Sequence, residues 1–419
     1  MSRTVLVYAD WNGITEPILM GKLYSQITRG EEIFSFEYDN NWMKLSFARQ
    51  IDPDLQLYAG RQYLNDSHKT NFGIFLDSSP DRWGRLLMKR REALIAKEEN
   101  RSENKLYETD YLLGVFDGYR MGGLRFKEEE NGPFLNNNEE FAAPPWTRIR
   151  ELEEMSLKLE DDSNSNNTEI LQWIKILLSP GASLGGARPK ASVIDTDNNL
   201  WIAKFPSKQD TSDIGCWEMV ANKLAKMCGI NIAEGKIKKL SSNHHTYLTK
   251  RFDRTKDHNR IHFASAMTLL GYTDGTDFHD GASYLEIAEF ITRNGSQVNI
   301  DLEELWKRIV FSICVSNTDD HLRNHGFLLT DQGWILSPAY DINPNEDGHG
   351  LSLNISENSN ELSLELAMDV HEYFRIDKQK AEEIIKMTRD IISKWRDIAS
   401  EYQITKSEQD LKANAFKND

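Results

Sequence analysis

The spacing of apolar positions changes period along the chain. Within the first 75 residues they fall in short runs. Thr4 to Tyr8 and Ile33 to Tyr38 read as strands, closed by Asp10-Trp11-Asn12-Gly13 and Asp39-Asn40-Asn41. A helix is then expected from Ser79-Pro80. Ser79 is a suitable N-cap, Pro80 fits the first turn, and Asp81 suits the positive end of the dipole. Trp83, Leu86, Leu87, Leu94 and Ile95 would form its apolar stripe. The polar stretches 132–145 and 160–167 read as surface loops.

From about Glu169 the texture shifts. Ile170 to Leu178 has helical spacing, Ala191 to Ile194 and Leu200 to Phe205 read as strands around the turn Asp195–Asn199, and Glu218 to Met227 reads as a helix. More β-like sequence follows to Thr249, and from about residue 256 helical spacing dominates. Leu302, Leu305, Trp306, Ile309 and Ile313 share one helix face, as do Ile384, Ile391, Trp395, Ile398 and Tyr402. Residues 326–336 read as a β-hairpin turning at Asp331-Gln332-Gly333. The pattern predicts an α+β chain with a β-rich first half and a helical second half.

Composition narrows this picture. The 419 residues suit two or three domains or one two-lobed body, and 10 Trp, 18 Phe and 14 Tyr supply a core that a disordered chain would lack. No apolar run reaches the roughly 18 residues of a transmembrane helix, and Asp10 interrupts the start too early for a signal-peptide core. Cys216, Cys228 and Cys314 are scattered without disulfide or metal spacing, so a cytoplasmic protein with no membrane contact is expected. With 50 basic and 66 acidic side chains the net charge is −16, which argues against a protein that coats nucleic acid alone and fits an enzyme or a protein with a basic partner.

Three segments could carry chemistry. Gly181, Gly185 and Gly186 surround Ser183-Leu184 and precede Ala187-Arg188-Pro189-Lys190. Such a loop can turn successive N–H groups onto an anion, or it can be a tight turn before a strand. Lys204 sits on an apolar strand, and Glu218 on the next helix could pair with it to hold nucleotide phosphates; the alternative is an edge lysine in water. The third segment runs Ser316-Asn317-Thr318-Asp319-Asp320-His321-Leu322-Arg323-Asn324, then through the hairpin to Tyr340-Asp341. A carboxylate, an Asn five residues on, and a second carboxylate beyond a hairpin are what phosphoryl transfer needs: a base for the attacking hydroxyl and two oxygen ligands for Mg²⁺. Other readings remain open: a transition-metal pair at His321 and His325, an Asx-rich structural turn, or a Ser316–His321 hydrolase dyad.

These residues resemble the HipA serine/threonine kinases, the toxins of bacterial HipBA-type toxin–antitoxin systems. The resemblance rests on residues 183–190, Arg251-Phe252-Asp253-Arg254, residues 318–324 and Tyr340-Asp341, in order, and extends to Ser79-Pro80-Asp81-Arg82-Trp83-Gly84-Arg85 and Ser265–Gly271. It implies a two-lobed kinase-like fold: a leading subdomain at 1–110, a kinase N-lobe at 111–255 and a helical C-lobe at 256–419. It implies ATP and Mg²⁺, with Asp319 as base, His321 supporting the loop, Asn324 and Asp341 on the metal, and Lys204 on the phosphates. Lys250 to Phe252 would be the adenine hinge, Lys190 a local cation for ATP, and Tyr340 part of the nucleotide site. Ser183 would be autophosphorylated, adding about −1.5 to −2 charge beside the nucleotide and switching the enzyme off. The resemblance further implies a HipB-like DNA-binding antitoxin as partner, DNA contact through it, and an aminoacyl-tRNA synthetase as target. A non-enzymatic corepressor and a small-molecule or lipid-like kinase are the competing functions.

Overall fold

The computed structural model describes residues 2–64, 66, 68–138, 144–160, 167–177, 186 and 188–416. The chain divides into two compact units. One holds Met1–Lys208, Lys250–Ala264 and Gly271–Thr273; the other holds Gln209–Thr249, Ser265–Leu270 and Asp274–Asp419.

The first unit begins with a five-stranded antiparallel sheet. Its spatial order is Arg61–Tyr63, Glu31–Tyr38, Ile18–Thr28, Ser2–Ala9 and Leu124–Lys127. Alternation selects its inner face: Val5, Val7, Ala9, Phe34, Phe36 and Phe126 are buried. Phe75 packs on Phe36 and Phe126 with ring centroids 5.7 and 6.0 Å apart. Gly21 is glycine for space, because a Cβ there would stand 2.4 Å from the Glu37 carbonyl oxygen.

The expected helix spans Arg82–Glu98, but its cap is Asp81, whose Oδ1 accepts from the Gly84 N–H at 2.8 Å. Ser79 does not cap it; its hydroxyl donates back to the Phe75 carbonyl at 2.8 Å. Trp83 and Leu87 are buried as expected, whereas Leu86 is 40% exposed. Later in this unit Lys190–Ile194 and Leu200–Lys204 form an antiparallel hairpin, preceded by helices Ile149–Glu160 and Asn167–Leu177. Of the two predicted polar loops, residues 139–143 and 161–166 lie outside the described residues.

The second unit is built on Val298–Cys314, a helix whose C-terminal half is buried on all sides from Arg308 onward. Helix Tyr284–Asn294 precedes it, fixed by a capping box between Ser283 and Glu286. The predicted hairpin is present as Gly326–Thr330 and Gly333–Leu336. Helix Ile214–Met227 and the hairpin Gly235–Lys239/His245–Lys250 complete the unit's N-terminal portion. The shared tail face from Ile384 to Tyr402 is split between two helices, Lys378–Ile392 and Trp395–Glu401. Trp395 stacks on Phe416 at 4.3 Å, and Trp217 packs against both.

Candidate active site

In the second unit the long helix stops at Cys314, and Ser316 takes a left-handed φ of 49° that turns the chain away. The Asn317 N–H donates back to the Ser312 carbonyl at 2.9 Å, closing the helix end. The next residues form a loop braced mainly by backbone and neutral side chains. Asn324 Nδ2 donates to the Asp319 carbonyl at 2.8 Å, and the Asn324 N–H donates to the His321 carbonyl at 2.8 Å. Asp319 is thereby fixed through its backbone while the residue stays exposed.

The hairpin brings the chain back to this loop. Thr330 pairs with Gly333 at its tip, where φ is 145° and a Cβ would stand 2.7 Å from the Asn294 carbonyl oxygen. On the return, Tyr340 Oη donates to the Arg323 carbonyl at 2.6 Å. The Asn343 N–H donates to Asn317 Oδ1 at 3.0 Å, and Asn343 Nδ2 donates to Asp341 Oδ1 at 3.1 Å. Asp341 has a φ of 57°. Asp319, Asn324 and Asp341 therefore belong to one hydrogen-bonded assembly within one unit.

The donor set suits a hard cation. Asn324 is 4% exposed, yet its Oδ1 has no hydrogen-bond partner among the described residues, and neither has Asn343 Oδ1. A buried amide oxygen without a donor costs free energy unless something electropositive meets it. With the Asp341 carboxylate, it would offer only oxygen donors, the chemistry that Mg²⁺ prefers over softer metals.

Two participants were missed by sequence reasoning, Asp320 and Tyr284. Asp320 is buried; its Oδ2 accepts from Tyr284 Oη at 2.6 Å, and its Oδ1 lies 3.2 Å from His325 Nε2. Burial pushes this carboxyl up, but His325 and the Tyr284 hydroxyl outweigh it and hold it below the ordinary value. The doublet Asp319-Asp320 and the spacing of His321 and His325 were the available signal, and they were assigned otherwise. His325 faces Asp320 from within the core, so it does not pair with His321 as a metal ligand. His321 is half-buried at the start of the turn Leu322–Asn324, and its Nδ1 has no hydrogen-bond partner among the described residues.

Among the described residues, Asp213, Cys216 and His245 are grouped closely enough to ligate a metal. Hydrogen bonding already accounts for them. Asp213 Oδ1 accepts the N–H groups of Cys216 and His245 at 3.2 and 2.8 Å, and Oδ2 meets His245 Nδ1 at 2.5 Å.

The remaining expected residues are distributed as follows. In the first unit Lys190 and Lys204 are buried and stand directly opposite each other in the strand register. Lys250 ends its strand, and the Phe252 ring packs 6.1 Å from Phe263. Gly186 has a φ of 76°, and Arg188 is half-buried. Glu218 lies in the second unit, buried on helix Ile214–Met227. Ser183, Leu184, Gly185 and Ala187 lie outside the described residues. Arg251-Phe252-Asp253-Arg254 forms a buried ion network: Asp253 pairs with Arg251 at 2.6 Å and with Arg254 at 2.5 Å, and accepts from the Gly122 N–H at 2.9 Å.

The family model described as HipA-like C-terminal domain matches residues 182–395, just over half of the chain. The chain belongs to this family. Among curated proteins, a "Putative kinase" of Haemophilus influenzae is 26% identical over 180 residues, covering 39% of this chain and 52% of its own length. "Putative kinase Y4mE" of Sinorhizobium fredii is 26% identical over 182 residues, covering 38% and 41%. The chain thus spans about half or less of the length of these relatives. The HipA of Shewanella oneidensis MR-1, solved with HipB and its operator DNA, superposes with a TM-score of 0.65 at 16% identity, covering 98% of this chain and 94% of that one. The HipA-like chain therefore has the kinase-like α+β fold. No helix among its described residues is long and apolar enough to cross a membrane.

Proposed function

We propose that this HipA-like chain is an ATP- and Mg²⁺-dependent serine/threonine protein kinase, the toxin of a HipBA-type module. The observation that carries the reading is the braced array of an exposed Asp319, the unpartnered oxygen of buried Asn324, and Asp341. Asn324 and Asp341 would hold Mg²⁺, which supplies charge neutralisation at the transferring phosphate. Asp319 accepts the proton of the attacking hydroxyl. As the new oxygen–phosphorus bond forms, the bond from the γ-phosphorus to its bridging oxygen breaks, and ADP leaves. Lys204 meets the α- and β-phosphates, while the backbone of Lys250 to Phe252 meets adenine. His321 supports the loop. Ser183 is the site of self-inactivating phosphorylation.

The substrate class is a protein hydroxyl, with an aminoacyl-tRNA synthetase as the target implied by the HipA resemblance. The partner is a HipB-like antitoxin through which DNA is reached, in keeping with an acidic chain of net charge −16. The test is incubation of the purified chain with γ-labelled ATP and Mg²⁺, alone and with cell extract. Self-labelling and labelled extract proteins are expected from wild type, and neither from Asp319→Asn or Asp341→Asn. Equal labelling by Asp319→Asn removes the assigned base. Turnover of a small alcohol without protein labelling replaces the protein-kinase reading with a small-molecule kinase, and absence of any turnover leaves the corepressor role.

A further inference from the structure

The turn Ser79–Arg85 does more than start a helix. Asp81 uses Oδ1 to cap that helix, and its Oδ2 lies 2.9 Å from Lys190 Nζ, with both side chains 5% exposed. Two residues on, Trp83 Nε1 donates to the Lys190 carbonyl at 3.1 Å from a buried ring. One helical turn therefore holds Lys190 at both its ammonium and its backbone. The ammonium also reaches the Gly186 carbonyl at 3.4 Å, on the near shoulder of the glycine-rich segment.

The turn itself is rigidly built. A Cβ on Gly84 would stand 2.8 Å from Pro80 Cβ, so only glycine permits this approach. Arg85 Nε donates to the Pro80 carbonyl at 3.1 Å, and its guanidinium grips Glu108 with two bonds of 2.6 and 2.7 Å. The charge arrangement explains what the turn is for. Lys190 and Lys204 are direct cross-strand partners, and like charges in that position repel. Asp81 neutralises Lys190 and draws its ammonium toward the helix.

We infer that Asp81 and Trp83 are positioning residues for nucleotide binding: they make Lys190 a brace under the Gly186 shoulder rather than a phosphate ligand, and leave phosphate contact to Lys204. This rests on the kinase reading and revises the role expected for Lys190. The isosteric Asp81→Asn keeps an oxygen for the Gly84 N–H but removes the charge. Trp83→Phe keeps the ring and removes the donor.

Two readouts on the full chain separate the brace from the kinase reading. The first is amide hydrogen exchange of residues 188–194 without nucleotide, with exchange in helix Val298–Cys314 as the control for global unfolding. Asp81→Asn is expected to speed exchange in 188–194 about tenfold and Trp83→Phe about threefold, the control being unchanged. The second is ATP affinity: Kd should rise about tenfold in Asp81→Asn with turnover at saturation nearly unchanged, and Asp81→Glu, which retains the charge, should recover part of it. Unchanged exchange in folded Asp81→Asn and Trp83→Phe overturns the inference whatever the nucleotide does. Faster exchange with unchanged ATP affinity overturns the link to nucleotide binding. Faster exchange together with a wild type that binds no ATP keeps the brace and removes the kinase reading.

Discussion

Two family-like motifs of similar prominence are built in opposite ways. Arg251-Phe252-Asp253-Arg254 in the first unit is a network of formal charges around the fully buried Asp253. Arg251 donates to both oxygens of Asp253 and to the carbonyls of Tyr119 and Arg120, and Arg254 donates to Asp253 and to the carbonyls of Gly118 and Arg120. Burial pushes Asp253 up, but the two guanidinium groups overcome this and hold it well below the usual carboxylate range. The loop at 316–324 in the second unit is braced by Asn, Tyr and backbone groups, leaves the Asn324 oxygen unpartnered, and presents Asp319 to solvent. A motif whose polar atoms are consumed internally is architecture. One that fixes its backbone, leaves the Asn324 amide oxygen without a partner and exposes a carboxylate is arranged for something outside the protein.

The sharpest way to break this comparison is to neutralise one aspartate in each. Asp319→Asn should lower phosphoryl transfer by about 10³-fold, the usual scale for a catalytic base, with little change in urea unfolding. Asp253→Ala should destabilise the chain by about 3–5 kcal/mol, because it strands two guanidinium groups in the interior. Equal destabilisation by both would erase the distinction.

The sequence made the elements and the acidic array legible for identifiable reasons. The helix Val298–Cys314 has a wide apolar face, and the hairpin after it has a turn with Gly333, so both were expected where they stand. Asp319, Asn324 and Asp341 were legible because their spacing around a hairpin is chemical as well as structural. What was hidden is contact between distant residues. Tyr284 reads as an apolar helix residue, yet its hydroxyl holds Asp320. Asp81 reads as a helix-dipole residue, yet it meets Lys190 more than a hundred positions later. The cap falls on Asp81 and not on Ser79, whose hydroxyl is turned back to the Phe75 carbonyl, a placement that local preference does not encode. No periodicity encodes such pairings, since each is chosen by the packed fold.

A smaller effect sharpens the comparison from inside the second unit. Tyr284→Phe removes the shorter of two hydroxyl hydrogen bonds to Asp320 Oδ2, at 2.6 Å against 3.4 Å from Ser312 Oγ, and leaves the ring packed against His325 at 5.5 Å. Loss of about 1–3 kcal/mol is expected, the cost of leaving a buried carboxylate short of a donor. If the loop at 316–324 is braced chiefly through its backbone, phosphoryl transfer by the folded variant should fall by less than about tenfold. A loss on the scale of Asp319→Asn would place Asp320 in the chemistry.

The smallest expected effect concerns Asp301, a buried carboxylate in the second unit that lacks the double guanidinium support of Asp253. Burial lifts it to about 6, against the opposing pull of the Leu336 N–H, which it accepts at 3.0 Å, and of Arg308. Its value in the unfolded chain is near the ordinary 3.8, so the unfolded chain releases this proton first as pH rises. The folded state then binds more protons than the unfolded one, and this group lowers stability progressively from about pH 4 to above pH 6. Asp301→Asn keeps an oxygen for Leu336 and carries no charge. It should be more stable than wild type by about 1–2 kcal/mol at pH 7.5, and the gap should narrow steadily toward pH 4. Urea unfolding of both chains across that range checks the sign. A constant gap would mean that Asp301 titrates alike in both states, and a loss at pH 7.5 would mean that its charge is supported as well as that of Asp253. Either result would remove the contrast between the doubly paired Asp253 and a buried carboxylate without that support.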